Sequence, residues 1–119
     1  MIYDITHLTA YSYEATVTSA SLALRLTPRS TLTQRVLSHM VRITPEPDHA
    51  TSHRDFFGNV VDLVSIDTSH TELTIKSTAR VEVSPRPALD GPDLAWERVA
   101  EVSLSGRDLS AAGPSHFLF

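Results

Sequence analysis

The sequence predicts a mostly β domain, an antiparallel sandwich of about six or seven strands. Three observations lead to this class. A chain of 119 residues is long enough for one hydrophobic core and too short for two. Apolar and polar residues alternate in several short segments. These segments follow one another without long helical patterns between them, which is typical of an antiparallel sandwich.

The clearest strand is ELTIKSTARVEV, residues 72–83. Its apolar residues and Ser77 share one side, whereas its charged residues and threonines share the other. We therefore expect a long strand with one buried face and one solvent-exposed face, which is typical of an antiparallel sheet. Pro85 and Pro87 end the strand, because proline cannot donate to a ladder.

Five more segments are predicted to be strands, some by alternation and others by their content of apolar and β-branched residues. They are residues 2–13, 21–26, 35–43, 49–54 and 59–66. The segment from 35 to 43 is apolar on both sides, so we expect it to lie centrally between layers. The first segment places its three tyrosines and His7 on one side.

The alternation decays between residues 88 and 114, so we place the core of this single domain, residues 1–119, within residues 1–87. A short helix is expected near residues 93–101, capped by Asp93. Ala95, Val99 and Val102 would share one side of that helix.

The chain ends in the apolar stretch SHFLF. Such residues are expected to pack against something, as at a cut or a domain edge. Phe117, Leu118 and Phe119 therefore form a candidate docking edge.

Composition excludes several classes of function. The net charge of −4 argues against nucleic acid as the main partner. No apolar run reaches the roughly 18 residues of a membrane span, and no signal peptide is evident at the N-terminus. The absence of cysteine excludes disulfides, zinc–thiolate sites and a cysteine nucleophile within this chain. It also fits a cytoplasmic protein.

Four arginines lie in the acid-free stretch between Glu14 and Glu46. They are Arg25, Arg29, Arg35 and Arg42. One interpretation is that they are solvated strand residues. The other is a basic face that docks an acidic protein surface or a phosphate.

The segment Asp55-Phe56-Phe57-Gly58-Asn59 separates two predicted strands. Glycine and asparagine tolerate the positive φ of tight hairpin turns, and an aspartate can accept hydrogen bonds from turn N–H groups. We therefore interpret the segment as a structural turn flanked by aromatic residues.

Catalytic and metal hypotheses have weaker support. In an extended segment His49, His53 and Asp55 point the same way, as metal ligands could, but no fourth ligand is evident and a solvated hairpin arm is the favoured reading. No G-x-S-x-G elbow is present, and no spacing pairs a serine with a base. His7 and His39 lie in strand patterns and are interpreted as packed or pairing residues.

Short motifs follow one another along the chain in a particular order. The series runs Tyr3-x-x-x-His7 with Tyr11, Leu24-Arg25-Leu26-Thr27-Pro28-Arg29, Gln34-Arg35, Pro45-x-Pro47, Asp55-Phe56-Phe57-Gly58-Asn59, His70-Thr71-Glu72-Leu73-Thr74-Ile75 and Val81-x-Val83. This ordered series resembles one family, the N-terminal region of bacterial transglutaminase-like proteins, which are also described as cysteine proteases. The resemblance covers most of residues 1–87.

The resemblance implies a β-sandwich-like domain that precedes a papain-like core with a Cys-His-Asp triad. The activity cannot be carried over, because a catalytic thiolate needs a cysteine. The implied role is an accessory module that packs on the catalytic domain, in cis or in trans, with no cofactor, metal or catalytic residue of its own. The family-motif residues singled out are Arg25, Pro28, Arg29, Asp55, Gly58, Asn59, His70 and Glu72.

Two other functions stay open. The first is a stand-alone sandwich that binds a peptide or glycan through Tyr3, Tyr11, Tyr13 or the Arg25/Arg29 face. The second is a small metalloenzyme built on the two histidines and the aspartate named above. A homodimer is compatible with each function, because an exposed apolar edge can pair with a second copy.

Overall fold

The computed structural model describes residues 1–86, 91 and 94–117. The chain forms two compact units. The first comprises residues 1–55 and 59–86, and the second comprises residues 56–58 and 87–119. No helix in the described part of the chain is long and apolar enough to cross a membrane.

The first unit consists of two three-stranded antiparallel sheets. Its strands are β1 (Ile2–Val17), β2 (Ala20–Leu24), β3 (Gln34–Thr44), β4 (His49–Arg54), β5 (Val60–Ile66) and β6 (His70–Val83). Sheet 1 has the order β1-β6-β3, and sheet 2 has the order β2-β5-β4. The prediction of a mostly β, antiparallel fold of about six or seven strands is confirmed.

The two sheets meet at a small core. Ile66 of β5 and the β6 residues Leu73 and Ile75 are buried together. Partly buried residues of both sheets surround them, namely Tyr13, Ala20, Leu22, Leu24, Leu26, Val41 and Ile43. Because successive side chains of a strand point to opposite faces, the alternation in the sequence determines which side chains can reach this core.

Strand β6 is the centre of sheet 1 and has the two unlike faces expected of it. Leu73, Ile75, Ser77 and Val81 are buried, whereas the alternate residues between Thr74 and Glu82 are half-buried or exposed. Its antiparallel partners are β1 and β3.

The prediction that the apolar segment 35–43 lies centrally between layers is wrong. Strand β3 is an edge strand of sheet 1. Val41 and Ile43 contact the core, but Met40 on the opposite face is 59% exposed. Apolar residues on both faces of a segment do not indicate which strands it pairs with. The position of a strand in a sheet is determined by hydrogen bonds to strands that are distant in the sequence, and the periodicity of the segment does not encode these.

The second unit contains the helix α1 (Trp96–Ser105) and a 3-10 turn, Pro114–Phe117. The helix begins three residues later than the predicted segment. Asp93, the predicted cap, lies outside the described residues, and Ala95 occupies the N-cap position without a side-chain hydrogen bond.

A local hydrogen bond lies in the loop between α1 and the 3-10 turn. The Ser110 N–H donates to the Asp108 carboxylate at 2.9 Å. The hydrogen bonds from Ser110 lower the pKa of Asp108 below its usual value of 3.8.

Candidate functional site

The turn between β4 and β5 is held by one aspartate. The Asp55 N–H donates to the Asn59 carbonyl at 2.9 Å. In return, the Asn59 N–H donates to Asp55 Oδ1 at 2.9 Å, and Asn59 Nδ2 donates to Oδ2 at 3.1 Å. Gly58 has a φ of 79°, the left-handed conformation that favours glycine. These bonds make the segment a three-residue hairpin loop of the kind that closes on a left-handed residue.

Arg25 approaches the same carboxylate. Its Nε lies 3.4 Å from Asp55 Oδ2. The Asp55 side chain is only 18% exposed, whereas the Arg25 side chain is 56% exposed. Both carboxylate oxygens are therefore occupied by donors of the protein itself, which supports a structural role for these two motif residues.

Pro28 and Arg29 lie in the connection between β2 and β3. Pro28 is half-buried and Arg29 is exposed. The Gln34 side chain donates to the Arg29 carbonyl at 2.8 Å, and the Ser30 hydroxyl accepts from the Val36 N–H at 3.1 Å. This part of the motif shapes the connection that leads into β3.

The basic stretch does not form a single open face. Arg25 pairs with Asp55, and Arg35 pairs with Glu82 at 2.8 Å. Arg42 lies opposite Lys76 in the pairing of β3 with β6. At least two of the four arginines thus have acidic partners in the chain, which favours the interpretation as strand residues.

His70 and Glu72 have unlike surroundings. His70 is buried at the start of β6, and its Nδ1 donates to the Thr68 carbonyl at 2.7 Å. Its ring packs edge-on against Tyr13, with 5.9 Å between centroids. The buried Nε2 atom has no hydrogen-bond partner among the described residues. Glu72 is exposed, so the two residues do not form a joint site.

The histidine and aspartate residues proposed for metal binding do not converge. His49 and His53 lie on β4, as the extended reading requires. The Asp55 carboxylate is instead directed at Asn59 and Arg25. Within residues 1–86, 91 and 94–117, no group of three or more histidine, aspartate, glutamate or cysteine side chains could hold a metal ion.

One serine–histidine contact was not evident from the sequence. His39 Nε2 lies 3.2 Å from the hydroxyl oxygen of Ser77. Ser77 is buried in the central strand, whose main-chain groups pair with strands on both sides. Backbone N–H groups committed to a ladder cannot form an oxyanion hole, so we assign this contact to packing, as predicted for His39.

The predicted docking edge falls partly outside the described residues, which include Phe117 but neither Leu118 nor Phe119. Phe117 belongs to an aromatic cluster of the second unit, formed by Phe56, Phe57, His116 and Phe117. Ring centroids in this cluster are 5.2–6.0 Å apart. Phe56 and Phe117 remain 61% and 60% exposed.

A concave feature of the first unit is a groove between its two sheets. It has a volume of about 820 Å³ and runs between β3 of sheet 1 and β4 of sheet 2. Leu24, Val41, Ile43 and Val64 supply apolar lining, and Asp62 supplies a carboxylate. Sequence reasoning missed this groove. The available signal was Asp62 itself, an acid within the predominantly apolar strand segment 60–66.

Comparison with known proteins gives one family. A family model described as the bacterial transglutaminase-like N-terminal region matches residues 3–82. No solved structure matches the chain significantly.

Several mycobacterial proteins are similar to this chain. Uncharacterized proteins of Mycobacterium tuberculosis and Mycobacterium bovis are 38% identical over 108 residues, which cover 87% of this chain and 34% of each relative. An uncharacterized protein of Mycobacterium leprae is 36% identical over 78 residues, which cover 66% of this chain and 28% of the relative. The chain thus spans about a third of the length of these relatives.

Proposed function

Because this chain belongs to the bacterial transglutaminase-like N-terminal region family, we propose that it is a non-catalytic accessory domain of a transglutaminase-like protein. It packs on the catalytic domain of that protein and helps to shape the active-site cleft of that domain. The observation that carries this proposal is the family match over residues 3–82. The greater length of the mycobacterial relatives, which leaves room for a further domain, supports it.

The chemistry of acyl transfer supports a non-catalytic role for this chain. A thioester intermediate requires a cysteine thiolate as nucleophile. The sequence contains no cysteine. The motif residues also serve the fold, since Asp55 closes a turn and His70 is buried. The chemistry of the whole protein therefore belongs to its partner domain.

Exposed aromatic surface supports docking to that partner. The aromatic cluster of the second unit presents Phe56 and Phe117 to solvent. Exposed apolar patches on folded proteins commonly mark interaction sites. The partner is the transglutaminase-like catalytic domain, in cis or in trans, and the expected location is the cytoplasm. A homodimer through the same cluster is the competing arrangement.

Two measurements test the proposal. The size of the native protein in its source cells, detected with an antibody against this chain, should be far greater than the 13.1 kDa of this chain. The purified chain alone should neither incorporate a fluorescent primary amine into a glutamine-containing protein nor hydrolyse peptides, with a heat-denatured sample as the control. A native band at 13.1 kDa, or either activity in the isolated chain, would contradict the proposal.

A stand-alone binding module is the second candidate. Tyr11 and Tyr13 stack with 6.3 Å between ring centroids, but Tyr13 is half-buried against His70. Tyr13 therefore packs within the domain and offers little of its ring to a ligand, which weakens the case for a glycan-binding surface on this tyrosine pair. Titration with oligosaccharide panels should give no saturable binding.

A further inference from the structure

Asp62 interrupts the apolar face of β5. Val64 and Ile66 are 7% and 0% exposed. The period of two places the half-buried Asp62 on the same face, toward sheet 1. In the pairing of sheet 2 it lies directly opposite Leu24 and Ser52.

Among the residues that the structure describes, the Asp62 carboxylate has no counterpart. No hydrogen bond or ion pair joins it to another side chain in the part of the chain that the structure describes. Partial burial of a charge costs free energy unless a partner compensates it. A polar residue that interrupts an apolar face and forms no stabilising contact within the fold is a candidate for a functional role.

The surrounding groove has the form of a peptide site. Its two walls, β3 and β4, are edge strands of different sheets. Edge strands present main-chain N–H and C=O groups that an added strand can pair with. Leu24, Val41 and Val64 offer apolar contacts between those walls. An extended peptide matches both features, because it carries a main-chain ladder and alternating side chains.

The charged residues that line the groove indicate which kind of peptide side chain it would bind. Asp62 and Glu46 both line it. Arg42 also borders it, but Arg42 lies between the core residues Val41 and Ile43 and so directs its side chain to the other face of sheet 1. His39 also lines the groove, with its Nε2 atom 3.2 Å from the Ser77 hydroxyl oxygen. Apart from this histidine and Arg42, the ionisable groups of the lining are the two carboxylates.

We propose that this groove binds an extended peptide segment of another polypeptide, with a lysine or arginine side chain paired to Asp62. The edge strands contribute the main-chain bonds, and the apolar residues accept the neighbouring side chains. The proposal needs neither the catalytic domain nor any activity, so it stands or falls separately from the proposed function.

Three labelled peptides test it by fluorescence anisotropy with the 119-residue chain. Each has nine residues of alternating valine and threonine around a central lysine, norleucine or glutamate. Norleucine matches the length of the lysine side chain but lacks the charge. We expect the lysine peptide to bind about tenfold more tightly than the norleucine peptide, as for a partly desolvated ion pair. The glutamate peptide should bind more weakly than both.

Matched variants assign the preference to Asp62. Asp62→Asn should lower the affinity for the lysine peptide to that of the norleucine peptide, and it should leave the norleucine peptide unaffected. Glu14→Gln removes the same charge from an exposed position of β1, and should change no affinity more than about twofold because such charges are screened. Asp62→Val should raise the midpoint of thermal unfolding while it abolishes the lysine preference.

Three results would overturn the proposal. The first is equal or absent binding of the three peptides. The second is a lysine preference that survives Asp62→Asn. The third is self-association in sedimentation that both the lysine peptide and Asp62→Asn weaken, because a second copy of the chain would then be the occupant of the groove.

Discussion

Replacement of Asp55 by alanine tests whether one carboxylate holds the β4–β5 turn. The substitution removes two hydrogen bonds from Asn59, at 2.9 and 3.1 Å, and the contact with Arg25 at 3.4 Å. The first two bonds lie inside the turn, where the Asp55 side chain is mostly shielded from solvent. The third involves an arginine side chain that is more than half exposed.

These distances and exposures set the expected magnitude. A hydrogen bond to a charged group contributes about 1.5 kcal/mol at the lower end of its usual range, so the two bonds from Asn59 contribute about 3 kcal/mol. The exposed Arg25 contact adds at most about 0.5 kcal/mol, because solvent screens it. Asp55→Ala should therefore lower the free energy of unfolding by about 3 kcal/mol.

Urea unfolding followed by far-ultraviolet circular dichroism measures this loss. Asp55→Asn keeps one side-chain oxygen as an acceptor and should cost about half as much as Asp55→Ala. Arg25→Ala should cost less than about 0.5 kcal/mol. If Asp55→Ala costs no more than Arg25→Ala, the carboxylate does not hold the turn and the structural reading of the motif is refuted.

Three further substitutions or titrations test the structure. Leu73→Ala should lower the free energy of unfolding by about 2–5 kcal/mol because Leu73 is fully buried. The half-exposed Leu63 gives the matched control, and an equal loss at both positions would contradict the assigned core. Gly58→Ala should cost about 1–2 kcal/mol because the φ of 79° strains an L-residue, and an unchanged unfolding midpoint in urea would refute that geometry. The pKa of Asp108, measured by NMR titration, should lie below 3.8 because Ser110 hydrogen bonds the charged form. The stabilisation it gives the loop is present above the unfolded-state pKa and is lost as the pH falls through the folded-state pKa, so a midpoint at or above 3.8 would exclude the bond.

Local features of the fold were predictable from neighbouring residues. The twelve alternating residues from 72 to 83 correspond to most of β6. Alternation with a period of two specifies a β-strand and also specifies which of its faces is buried. The Asp55–Asn59 turn was predictable for a similar reason. Its hydrogen bonds join residues four apart, and its glycine adopts the backbone conformation that few other residues tolerate.

Long-range features were not predictable in this way. The apolar segment 35–43 suggested a central strand, yet β3 forms an edge, because its place depends on pairing with β6 some forty residues later. The contact of His39 with Ser77 depends on the same pairing. No spacing within either strand indicates that contact.

The sequence by itself determined the class of fold, the strand segments and the hairpin turn, because these depend on side-chain alternation and on backbone preferences over a few residues. Its motif order also indicated the family. Only the tertiary structure decided the pairing order of the strands and the groove between β3 and β4. It also decided that Asp62 faces that groove. The physical reason is that a groove exists only where two sheets separate, and sheet separation is a property of packing between residues distant in the chain.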